Sequence, residues 1–253
     1  MSNKLFALSI FAAVAFNTAV SAEEGSQSLK IVKMALNNIN SLDYQAAQNF
    51  RFTKTITSEN GSRRIHFDPI LGSSSSSQWT LLSLDGEVPS LEQRQQYQYE
   101  VIKYKKQQRQ EIEASKGNPL LKLLDVDSLE LARAGELQRQ YRFKVNDKKY
   151  RAYISGLITL QNDCQCIVSI DVSNPEAFSP QFMVKIEEYQ ERYTFIPLAG
   201  VGSVVSRIDK RIIGRALLTD LSQHYFEVYS DVGLLKKIDD SLNETVVTHT
   251  QRE

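Results

Sequence analysis

Apolar and polar positions alternate along this chain with two different periods. Over Ser28 to Leu42, Leu29, Val32, Leu36 and Ile39 recur at helical spacing with Ala35 beside them. This predicts an amphipathic helix, with Ser26 or Ser28 as N-cap. Asn49 to Ser58 carries three Thr and two Phe, residues that suit a pleated, half-buried strand. Glu59-Asn60-Gly61 signals a turn, and Arg63 to Phe67 reads as the hairpin partner. The serine run Ser73 to Ser77 reads as a loop, and Gln78 to Leu84 as a further strand ended by Asp85-Gly86.

A second helix is expected from Ser90 to Ser115. Ser90 and Gln93 have capping-box spacing. Tyr97, Val101, Tyr104 and Ile112 form its apolar stripe, and Lys103, Lys105, Lys106 and Arg109 make it locally basic.

From Leu129 onward the period is two. Leu137, Tyr141, Phe143 and Val145 alternate with polar residues. Lys149 to Ile154 and Gly156 to Leu160 continue the pattern, and Asn162-Asp163 marks a turn. Val168, Ile170 and Val172 alternate, as do Phe182, Val184 and Ile186. Tyr189 to Ile196 extends the latter past a bulge. Val204 to Ile213 and Tyr225 to Ser230 complete the series, and Asp231 to Asn243 reads as loop and weak helix. Clean alternation means one packed and one wetted face. The expected class is α+β, a large and strongly curved antiparallel sheet with helices on one side.

Composition adds exclusions. The 253 residues hold 30 Lys and Arg against 30 Asp and Glu, so no basic excess points to nucleic acid. Residues 1–22 read as a signal peptide: Lys4 precedes the apolar run Leu5 to Phe16, and Val20-Ser21-Ala22 supplies small residues for cleavage. The apolar run is shorter than the roughly 20 residues that span a bilayer. The expected mature chain, 23–253, is a single periplasmic domain of a Gram-negative bacterium, with a helical insertion at about 88–125.

Chemistry is sparse. Cys164 and Cys166 are too few for a structural zinc site, and they read either as a local disulfide or as buried thiols. His66, His224 and His249 share no ligand spacing, so neither metal nor cofactor is expected. Glu187, Glu188 and Glu191 offer carboxylates but no selectable pair. No nucleophile motif is present, and the expectation is a protein without catalysis. The aromatics are more suggestive: Phe50, Phe52, Trp79, Tyr141, Phe143, Phe182, Tyr189, Tyr193, Phe195, Tyr225 and Phe226 are spread along strands. Ordinary packing accounts for most. An open curved sheet would let Phe50, Phe52, Trp79, Tyr141, Phe143, Phe182, Tyr193 and Phe195 line an apolar ligand cavity.

The order of elements resembles the periplasmic lipoprotein-carrier (LolA/LolB-like) fold, and secreted proteins labelled as outer-membrane lipoprotein-sorting proteins. The strings carrying it are Phe67-Asp68-Pro69, Trp79 to Gly86 (WTLLSLDG), Pro89, Phe178-Ser179-Pro180, Ile208 to Ala216 (IDKRIIGRA) and Tyr229-Ser230-Asp231. The resemblance implies an incomplete barrel with helices on its concave side and an apolar cavity for lipid or lipoprotein acyl chains. The long basic helix and the serine run depart from the family. The expected function is a carrier or sensor of such chains. The alternative is a protein-interaction module with a self-filled core, whose basic helix meets an envelope protein or an anionic membrane surface.

Overall fold

The computed structural model describes residues 27–40, 42, 49–71, 77–114, 119–217 and 219–235, with the backbone alone for 104–114 and 119. The signal segment 1–22, Ser73 to Ser76, the side chains of the stripe positions Tyr104 and Ile112, and the tail after Leu235 lie outside that description.

The described residues begin with helix α1 (residues 27–37), followed by the two-residue strand β1 (Ile39–Asn40). Then come β2 (Phe50–Ser58), β3 (Gly61–Phe67), β4 (Trp79–Leu84), α2 (Leu91–Ala114) and α3 (Pro119–Leu123). Eight more strands follow: β5 (Leu124–Ala134), β6 (Gln138–Val145), β7 (Ser155–Gln161), β8 (Cys166–Ser173), β9 (Phe178–Gln181), β10 (Val184–Leu198), β11 (Gly202–Ala216) and β12 (Thr219–Leu234).

Among the described residues the strands form one open sheet in the order β4-β3-β2-β12-β11-β10-β8-β7-β6-β5, with β9 added to β10 and β1 added to β11. All pairings but one are antiparallel. The exception is β1, which runs parallel to β11 with Ile39 opposite Ser203. The β10–β11 register shifts between Ile186 and Glu188, where a bulge is expected before Tyr189, and again between Thr194 and Phe195, inside the run expected to be continuous; such bulges add local twist.

Opposed residues share a face, so the register defines one packed face across the sheet. Phe52 faces Phe67, Lys54 faces Tyr229, Tyr193 faces Ile208 and Ile170, and Ile158 faces Tyr141. That face, with Val32, Ala35 and Leu36 of α1, forms one buried apolar cluster. α1 is fastened at its start, where the Ser28 hydroxyl and carbonyl both meet the Tyr141 hydroxyl. A smaller cluster joins Tyr97 and Val101 of α2 to Ile56, Ile65 and Leu81. The capping box at the start of α2 is made in both directions: the Gln93 N–H donates to Ser90 Oγ at 3.2 Å, and the Ser90 N–H donates to Gln93 Oε1 at 2.8 Å.

Several expectations need correction. Ser28 is buried inside α1 rather than capping it, because its hydroxyl is used by Tyr141. The helix stops before Asn38, and Ile39 joins the sheet instead of finishing the helical stripe. Asn residues compete for backbone hydrogen bonds and favour such exits. Lys149 to Ile154 is a turn, not a strand. The Asp147 carboxylate takes the Lys149 N–H at 2.8 Å, and its carbonyl takes the Arg151 N–H at 2.9 Å. Leu137 is exposed in the turn before β6. The strand series starts at Leu124 rather than Leu129, and Asp231 to Leu234 belongs to β12.

Candidate functional site

The nominated cavity aromatics do not all share one environment. Phe50, Phe52, Tyr141, Phe143 and Phe195 are buried in the main cluster. Phe52 packs against Phe67, Trp79 and Tyr229 with ring centroids 5.2, 5.9 and 5.6 Å apart. Phe143 lies against Gly156, where any Cβ would strike its ring. Trp79 and Tyr193 are half-buried. Phe182 is 87% exposed, which corrects its nomination. Its parity matches Val184 and Ile186, but it sits in the β9–β10 turn, where Met183 takes a positive φ of 61°. A turn breaks the alternation that would have pointed it inward.

Cys164 and Cys166 are joined by a disulfide across a Cα–Cα distance of 5.2 Å. Gln165 between them has φ of 50°, so the backbone turns rather than extends. That turn brings the two Cα atoms closer than the roughly 7 Å of an extended i, i+2 pair.

The packed face is not uniformly covered. Across β5–β8 its apolar residues are mostly buried. Across β10–β12, Tyr189, Tyr193, Ile208, Lys210, Ile212 and Tyr225 are only half-buried. This stretch contains two copies of one arrangement. Tyr189, Glu191 and Tyr193 stand on the packed face of β10, and Tyr225, Glu227 and Tyr229 stand on the same face of β12. Positions i, i+2 and i+4 of a strand point the same way. In each copy both tyrosine hydroxyls donate to the central carboxylate. Tyr189 and Tyr193 reach Glu191 at 2.6 Å each; Tyr229 reaches Glu227 at 2.6 Å, and Tyr225 also donates to it.

The copies differ in their cation. Glu227 accepts from the buried Lys54 ammonium at 3.4 Å, and that ammonium lies 5.5 Å from the Tyr229 ring centre. Lys210, directly opposite Glu191 in the β10–β11 register, instead lies 5.7 Å from the Tyr189 ring centre. Burial, the Glu191 charge and the hydrogen bond to Glu191 together push the Tyr189 phenol well above its ordinary pKa, so it stays a neutral donor. The sequence reading names Tyr189, Tyr193 and Tyr225 among aromatics and Glu191 among carboxylates. The signal it passes over is the repeated Tyr-x-Glu-x-Tyr string at 189–193 and 225–229.

The opposite face is a polar lattice. His224 and Arg207 contact Asp209 at 3.1 and 2.9 Å, Arg192 pairs with Asp171, and Arg211 with Glu188 at 3.5 Å. Partial burial alone would raise the Asp209 carboxyl. Hydrogen bonds from Arg207 and His224, and their charges, outweigh it and hold the pKa below its ordinary value. Among the described residues, no group of three or more His, Cys, Asp or Glu gathers to hold a metal ion. No described helix is long and apolar enough to cross a membrane. Comparison with family models, curated proteins and solved structures finds no match for this chain.

Proposed function

We propose that this protein is a periplasmic carrier or sensor that holds an acyl chain of a lipid or lipoprotein on the packed face of its sheet, without chemistry. One observation carries the reading: the half-buried apolar stretch of Tyr189, Tyr193, Ile208 and Ile212, which packs against the buried core. A chain laid along it gains roughly 0.8 kcal/mol for each CH₂ removed from water. On this reading the sheet curves as an incomplete barrel, the helices lie in its hollow, and residues 1–22 direct export. The resemblance to the lipoprotein-carrier fold supports the same picture.

The burial of Phe50, Phe52, Tyr141, Phe143 and Phe195 favours a second reading, an interaction module with a self-filled core and α2 as partner surface. One experiment separates the two. The protein is exported, purified without detergent and extracted with organic solvent for lipid mass spectrometry. Stoichiometric lipid supports the carrier. A folded, lipid-free protein that captures an envelope protein in a salt-sensitive manner replaces it with the module.

A further inference from the structure

The two Tyr-x-Glu-x-Tyr copies serve as controls for each other. The β12 copy is complete: its carboxylate holds two phenols and an ammonium, supplied by Lys54. The β10 copy has the same two phenols on Glu191, yet no ammonium comes within 4.0 Å of that carboxylate among the described residues. Lys210 is the cation placed to do so. Its ammonium lies over the Tyr189 ring and forms no ion pair with a described residue. A carboxylate and an ammonium thus stand on directly opposed residues of a half-buried face without pairing.

We propose that Glu191 and Lys210 receive a zwitterionic group, with a ligand ammonium seated on Glu191 between Tyr189 and Tyr193 and a ligand phosphate on Lys210. This deepens the carrier reading and rests on it for the attached acyl chain. The Lys54–Glu227 contact shows which group this arrangement accepts. Both phenols already donate to Glu191, so the remaining carboxylate lone pairs favour a donor cation over an anion. A compact ammonium is also drawn to flanking tyrosine faces. Lys210, released from the ring, supplies the matching charge for a phosphate beside it. The adjoining Ile208 and Ile212 provide apolar surface for whatever the headgroup carries. The chemistry is that of phosphoethanolamine, either free or as a phospholipid headgroup.

The test uses the full exported chain and calorimetric titration with three probes: dihexanoylphosphatidylethanolamine, dihexanoylphosphatidylglycerol and free phosphoethanolamine. The two lipids share chains and phosphate, and only the first carries an amine. Wild type is expected to prefer the ethanolamine lipid by about tenfold, in line with one charge-assisted hydrogen-bonded contact. Glu191→Gln erases the preference, Tyr193→Phe reduces it, and Lys210→Met weakens both lipids. Thermal melts verify folding, and Tyr193→Phe carries the test if Glu191→Gln does not fold. Equal binding of both lipids in wild type overturns the headgroup site and leaves the carrier standing. Phosphoethanolamine binding that is lost in Glu191→Gln, without lipid binding, keeps the site and removes the carrier. No binding of any probe overturns both.

Discussion

Lys54 on β2 and Glu227 on β12 are diagonal neighbours on the packed face, with the ammonium 3.4 Å from the carboxylate and both side chains at least nine-tenths buried. Removing one member leaves the other charge buried alone, which typically costs about 3–5 kcal/mol. Lys54→Met and Glu227→Gln are each expected to destabilise the fold on that scale. The double variant should lose far less than the sum, since no charge is then stranded and Gln still accepts from the tyrosines. Urea unfolding of the four proteins checks this. Strictly additive losses would show that the pair is not coupled.

Phe143 and Phe182 offer a contrast on one residue type. Phe143→Ala empties a fully buried site and should cost about 3–5 kcal/mol. Phe182→Ser alters a turn residue that is 87% exposed, and its midpoint in denaturant should move by less than about 0.5 kcal/mol equivalent. Comparable losses at both positions would contradict the placement of Phe182.

Gly202 has φ of 105°, and a Cβ there would run into the Asn38 carbonyl. That carbonyl accepts the Ser203 N–H at 3.1 Å, and the Asn40 side chain donates to the Val201 carbonyl at 3.1 Å. Gly202→Ala should therefore cost at least about 1–3 kcal/mol from backbone strain alone. It should also loosen β1, seen as faster amide exchange at Ser203. Unchanged exchange and stability would count against this close approach.

Asp209 supplies a pH dependence of known sign. Its folded pKa lies below the ordinary carboxylate value, so its contribution is present above that ordinary value and is lost as pH falls through the folded one. Carbon-detected NMR titration should find its carboxyl protonating below 3.8, the ordinary value. Replacing His224 by Ala should move that midpoint upward. A midpoint at or above the ordinary value in wild type would refute the assignment.

Much of the fold was legible because it follows from local pattern. Thr and Phe content located β2, period-two alternation located β6, β8 and most of β10, and the Ser90–Gln93 spacing placed the start of α2 to within a residue. What local pattern could not supply was the partner. Ser28 has the composition of a cap, but Tyr141, 113 residues away, takes its hydroxyl. Phe182 has the parity of a buried residue, and a turn cancels it. The two Tyr-x-Glu-x-Tyr strings look like ordinary half-buried strands until the register places Lys54 beside one and Lys210 opposite the other. Charge pairing across strands depends on register, which alternation alone leaves open by any even number of residues.

The strand order has a consequence for how the molecule is assembled. β12 is the last described strand to leave the ribosome, yet it lies between β2 and β11 in the sheet. Without β12 this strand order leaves two ribbons, β4-β3-β2 and β11 through β5, with β1 covering only Ser203 and Val204 of the β11 edge. Joining them closes loops spanning most of the sequence, a slow kind of folding event. Bare edges in the interval invite pairing with neighbouring chains. A truncation before β12 removes the seam rather than trimming an end.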